Sequence, residues 1–268
     1  MPAWLLGAIM TFLGREWIRG IYTFGKATDD ISSNDNGAYS NTSEAVIDSV
    51  NVSAQHGLSD YDVAKRFTMD SLVYLPSPFQ EGIGNVILGG WRFSTIAVLQ
   101  SGMPFTVHTS APFVPICSGG ATLVRGVCPA GSAVIGNEGG DFNADGYDYD
   151  VPNRPAVGAV HTGNRSDFIN GFASASSFST PAFRQEGNLA RNAYFGPGMA
   201  IVNVQLAKQF KWERYSLEFR VDVFNVFNRV NLLGEAGGLV TDLSNPLFGK
   251  ATTQNLPRSS QFGLHLAF

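Results

Sequence analysis

Apolar and polar positions alternate along several stretches of the chain. The clearest is YSLEFRVDVF, where Tyr215, Leu217, Phe219, Val221 and Val223 alternate with Ser216, Glu218, Arg220 and Asp222. Successive side chains of a strand point to opposite faces, so one face is wholly apolar and the other almost wholly charged. Just before it, IVNVQLAKQF sets Val202, Val204, Leu206 and Phe210 opposite Asn203, Gln205, Ala207 and Gln209, with Lys208 interrupting the apolar row. The link Lys211–Arg214 predicts a tight turn, with Trp212 at an interfacial height. The closing SQFGLHLAF puts Phe262, Leu264, Leu266 and Phe268 on one face and Gln261, Gly263, His265 and Ala267 on the other, completing a meander. Upstream, KRFTMDSLVYLP gives Phe67, Met69, Val73 and Leu75 against Arg66, Thr68 and Asp70. GGWRFSTIAVLQSG gives Trp91, Phe93, Ala97 and Leu99 against Arg92, Ser94 and Gln100, blurred by Ile96 and Val98, and EWIRGIYTFGK is a weaker sixth strand.

The connections sort by length. Residues 211–214 and 76–88 are short or moderate, whereas 27–62, 103–198 and 228–259 are long. Short turns at one rim and long loops at the other form the pattern of an outer-membrane barrel, whose spanning strands are about 9–11 residues long. The terminal row ending at Phe268 points the same way, because a chain end carrying four large apolar groups needs something to cover it. No strand edge can face lipid, and six strands fall short of the roughly eight in the smallest barrels. The expected fold is therefore all-β: an antiparallel transmembrane barrel, its carboxy-terminal part, over 14–268, with long extracellular loops. Residues 1–13 stand apart. The apolar run from Ala3 to Leu13 is too short for a membrane helix and lacks the basic flank and cleavage site of a signal peptide, so an exported protein would be expected to start further upstream.

Composition narrows the function. With 18 basic and 22 acidic residues among 268, a net charge of -4 and no basic cluster, the chain does not suit a nucleic-acid binder. Charged residues make up only 15%, against about 25% in ordinary globular domains, while glycine (30) and phenylalanine (20) are plentiful, as in a β protein with polar loops. The two cysteines, Cys117 and Cys128, are separated by ten residues rich in glycine. They read either as a surface-loop disulfide or as two free thiols, and no second Cys or His pair makes them a metal site.

DFNADG places Asp141, Asn143 and Asp145 at alternate positions before Gly146, the first half of a calcium-loop pattern. Pro152 stands where the bidentate Glu should be, although Asp148 and Asp150 could substitute if the loop curls back. The competing reading is a solvated acidic turn built by aspartate and asparagine side chains. Calcium is the only cofactor the sequence suggests. Glu218, Arg220 and Asp222 face the expected lumen, either lining a solute path or plug contact or as ordinary polar lining. FNVFN, Phe224 to Asn228, marks a girdle or bulge at the outer rim, with a carbohydrate platform as the second reading. His56, His108, His161 and His265 are scattered, and Gly82–Gly84 reads as a turn. With no nucleophile elbow, HExxH pair or P-loop, the chain is expected not to be an enzyme.

Taken together and in order, GLSDYDVAKRFTMDSLVYLP, GGWRFSTIAVLQSGMPFTV, DFNADGYDYDVPNRP, GNLARNAYFGPGMAIVNVQLAKQF, LEFRVDVFNVFNRVN and SQFGLHLAF resemble the carboxy-terminal barrel of Oar-like TonB-dependent outer-membrane receptors. The resemblance covers most of 57–268. It implies a barrel of about twenty-two strands with a plugged lumen. Import of a scarce ligand would be energised through a plug domain that contacts TonB and is absent from this sequence. By the same resemblance, outer-membrane lipid surrounds the wall, and the terminal aromatic Phe268 is the signal read by the barrel-assembly machinery. A small stand-alone outer-membrane barrel or adhesin is the alternative, followed by a secreted soluble β-sandwich.

Overall fold

The computed structural model describes residues 4–12, 16–32, 55–144, 146, 149–234 and 237–268. Seven strands form one sheet: β1 (Trp4–Phe12), β2 (Glu16–Phe24), β3 (Lys65–Leu75), β4 (Trp91–Gln100), β5 (Met199–Trp212), β6 (Tyr215–Phe224) and β7 (Ser259–Ala267). Their spatial order follows the chain order, and every neighbouring pair is antiparallel. Lengths of nine to fourteen residues suit tilted strands crossing a hydrocarbon layer.

The register aligns the alternating residues into two continuous faces. Val73, Phe93, Leu206, Val221 and Phe262 sit opposite one another across five strands, as do Tyr22, Phe67 and Leu99. The other face carries charge. Arg19 pairs with Asp70 at 2.9 Å, Arg92 with Glu218 at 3.2 Å, Gln205 donates to Asp222 at 2.6 Å, and Arg220 lies 3.3 Å from Asp222. Large side chains of the apolar face stay open: Phe262 and Leu264 are 70% and 72% exposed. The expected strands all occur, and the sheet also includes Trp4–Phe12, inside the segment that the sequence pattern left outside the barrel. That segment is apolar on both faces, so it gives no alternation to read.

At one end of the sheet the connections are short. Glu213 and Arg214 turn β5 into β6, with Glu213 at φ 50°. Between β3 and β4 a short helix, α1 (Gly82–Leu88), replaces the plain turn expected at Gly82–Gly84. At the other end, residues 25–32 and 55–64 and the described residues of 101–198 and 225–258 fold together into a loop body. Its core is Phe105, Val107, Tyr149, Val151, Phe168, Phe172, Phe178, Leu189, Leu232, Leu239 and Phe248. Its described residues include a further α-helix, α2 (Arg165–Asn170), capped by Asn164 and Asp167, and a two-residue pairing of Pro104–Phe105 with Tyr194–Phe195. Gly102 lets two segments meet, because a Cβ there would collide with the Gly196 carbonyl.

Candidate functional site in the loop body

The loop body is assembled by aromatic packing beneath a layer of buried polar contacts. Phe105 and Phe172 lie 5.0 Å apart, Phe172 and Phe248 5.3 Å, and Phe178 meets Phe248 edge-on at 5.8 Å. Tilted and edge-on contacts suit aromatic quadrupoles. This core holds 101–198 against 225–258. Arg191 then ties in the third segment. Its Nε donates to the Gln55 carbonyl (3.0 Å), Nη1 to Ser32 Oγ (3.0 Å), and Nη2 to both the carbonyl (2.7 Å) and the carboxylate of Asp29. Asp60 lies 3.6 Å away and also accepts from the Asn192 amide at 2.5 Å. Burial pushes the Asp29 carboxyl up, but hydrogen bonds from Arg191, Ser59 and Ser32 outweigh it and hold the group below its ordinary value.

On the loop body a cavity of about 220 Å³ is lined by His108, Ser110, Thr241, Asp242 and Asn245. The Ser110 hydroxyl donates to Asp242, and Ser244 donates to the same carboxylate through its hydroxyl (2.7 Å) and N–H (2.8 Å). Those donors overcome the desolvation of Asp242 and hold it ionised. The ring of His108 stacks on Tyr149 at 4.2 Å, and burial favours the neutral imidazole despite the neighbouring Asp242 and the Thr106 carbonyl. The cavity thus offers a carboxylate, an amide, hydroxyls and a neutral imidazole, a hydrogen-bonding lining for a small polar ligand.

The acidic loop is only partly within the described residues: Asp145 and Asp148 lie outside them. Asp141 accepts the Gly146 N–H at 3.1 Å, Asn143 donates to Glu186, and Asp150 accepts from the N–H groups of Phe142 and Asn143. Asp150 is fully buried. That burial raises its pKa to about 6, against the lowering effects of Glu186 and the two backbone donors and with a further push from the charge of Asp141. Glu186 is the residue that sequence reasoning missed, 43 positions from Asn143. Among the described residues no group of three His, Cys, Asp or Glu side chains converges to hold a metal ion.

Cys117 and Cys128 are joined in a disulfide, with Cα atoms 5.5 Å apart. It closes the excursion that leaves the hairpin of Pro115–Cys117 and Val134–Asn137. Glu218, Arg220 and Asp222 fall on the charged face of the sheet and not in the lining of the loop cavity, and Phe268 continues the apolar row of β7. Of the histidines, the structure brings only His108 to the cavity lining.

An antiparallel wall with one apolar and one charged face, short turns at one rim and large loops at the other defines the class: an outer-membrane β-barrel protein. The comparison with family models agrees, matching residues 18–261 to the outer membrane beta barrel domain, and the chain belongs to that family. Its place is the outer membrane. No curated protein and no solved structure matches the chain. No helix among the described residues is long and apolar enough to cross a membrane.

Proposed function

We propose that the chain is the carboxy-terminal part of a TonB-dependent outer-membrane receptor, whose complete form imports a scarce ligand across the outer membrane. The observation that carries this reading is the parity of the sheet. Among the described residues, seven successive antiparallel strands leave edges β1 and β7 running in the same direction. Two such edges cannot pair antiparallel, so an antiparallel barrel needs an odd number of further strands. A receptor barrel of about twenty-two strands would supply fifteen, an odd number.

The loop body supports the same reading. Receptors select ligands at their extracellular face, and a polar cavity on a packed platform is suited to that task. The charged ladder on the opposite face of the wall fits a lumen that meets a plug through polar contacts. Partners follow from the proposal: TonB through a plug domain, and the barrel-assembly machinery through Phe268. Import would use the chain as binder and channel wall, with no catalytic step.

Native outer membranes, probed with an antibody to 199–268, test this. A receptor requires a heat-modifiable species roughly threefold larger than the 28.8 kDa of this chain, cross-linking to TonB in energised cells. A 28.8 kDa species associating only with itself would contradict it and favour the stand-alone barrel or adhesin.

A further inference from the structure

Helix α1, GIGNVIL, has one polar side chain, Asn85, and none of its residues is buried. Ile83, Val86 and Ile87 follow the i, i+3, i+4 spacing that sets them on one stripe, where Ile83 is 79% exposed. Phe79 and Leu88 extend the exposed patch at its two ends. Isolated helices this short are marginal in water, so the surroundings of α1 supply its stability.

The wall pins α1 to its apolar face. Lys208 stands on that face, paired across the sheet with Trp91 and Phe219, and is only 3% exposed. Its Nζ donates to the Gly89 carbonyl just after α1 and lies 4.9 Å and 5.6 Å from the ring centroids of Phe210 and Trp91. The Trp91 indole donates to the Ile87 carbonyl at 3.0 Å. Carbonyls at a helix end that water would ordinarily satisfy thus have protein donors, as a water-poor setting requires. Gly90, at φ 73°, permits the close return of the chain, since a Cβ there would come within 2.5 Å of the Gln209 carbonyl. Between α1 and strands β5 and β6 runs a groove of about 700 Å³, lined by Val86, Phe210, Trp212 and Leu217 among others. Phe210 and Leu217 pair on the apolar face, so stripe and groove continue the surface that the wall turns to lipid. The ten residues of β4 from Gln100 to Trp91 match the length that crosses the hydrocarbon layer. Joined to Trp91 by Gly89 and Gly90, α1 falls at the border of that layer.

We propose that α1 is an in-plane membrane helix, with its Ile83, Val86 and Ile87 stripe among the acyl chains of the leaflet at the short-turn rim. Continuity with the lipid-facing wall selects the occupant: an uncharged apolar patch that extends this surface suits acyl chains. The same helix covers Lys208, so a cation on the lipid face meets a carbonyl and two aromatic rings in place of hydrocarbon.

The test is fluorescence quenching of Ile83→Cys and Ile87→Cys, labelled with bimane. The protein is extracted from outer membranes and reconstituted in phosphatidylcholine vesicles with or without brominated acyl chains. Cys117 and Cys128 are joined to each other, so the label goes to the new thiol. Phe262→Cys on the lipid face and Val157→Cys, fully exposed on the loop body, serve as references. The ratio of quenching by brominated lipid to quenching by aqueous iodide should lie nearer that of Phe262→Cys at both positions. A ratio nearer that of Val157→Cys would overturn the proposal, and so would protection from both quenchers, the sign of a protein partner over α1. Should labelled Ile87→Cys fail the heat-modifiability check of folding, the more exposed Ile83→Cys decides alone.

Discussion

The strand wall and the loop body use the same residue types in opposite ways. In the wall, Phe219, Phe262 and Leu264 stand open on one face, and stability comes from backbone ladders and from lipid. In the loop body, Phe105, Phe168 and Phe172 are at most 2% exposed and pack on one another. The wall has its hydrophobic partner outside the molecule, and the loop body has it inside. Long loops that would otherwise be costly to order become a rigid platform because their own aromatics form a core.

Phe172→Ala separates the two regions most sharply. Removing a fully buried ring in contact with Phe105 and Phe248 should cost the loop body about 3–5 kcal/mol. Limited proteolysis on intact cells should then cut within 101–198, while the heat-modifiable wall persists. Concerted loss of both would show that the regions are one cooperative unit.

Val221→Arg attacks the wall instead. A charge near mid-membrane on the lipid face should cost about 2–4 kcal/mol, read as reduced folding in lipid bilayers. Gln261→Arg, one residue along from Val221's partner Phe262 and on the charged face, should be tolerated. Equal damage from the two would remove the distinction between faces.

Cys128→Ser should have a smaller effect, on the order of 2–3 kcal/mol and confined to 115–137, because the disulfide closes a short loop. Faster protease cleavage there, with the aromatic core unchanged, is the expected result. The pH dependence of Asp150 is comparable in size to the disulfide effect. Its folded pKa of about 6 lies above the ordinary 3.8, so the folded state keeps a proton that the unfolded state releases. Loop-body stability should therefore be highest below pH 4 as far as this group is concerned, and fall as pH rises from about 4 to 6. In Asp150→Asn that slope should vanish.

The wall was largely legible in the sequence because alternation is local: Leu217 to Val223 reveal their face within seven residues. β1 was not, since WLLGAIMTF is apolar on both sides, and α1 is too short to show a helical period. The loop body was illegible for another reason. Phe105 meets Phe172 and Arg191 reaches Asp29 and Gln55 across more than sixty residues of aperiodic chain, and no spacing rule marks such pairs. Asp150 stood out in the acidic motif, but its partner Glu186 lies outside that motif. The cavity residues His108 and Asp242 meet only through the folding of two separate loops.

The most direct measurement is a nitroxide scan of 259–268 in native outer membranes, comparing collision with oxygen and with a polar nickel chelate. A lipid-facing wall requires a period of two, with labels at Phe262, Leu264 and Leu266 oxygen-accessible and those at Gln261, Gly263 and His265 favouring the nickel chelate. Labels all equally open to nickel, or showing no alternation, would contradict an outer-membrane wall built on these faces.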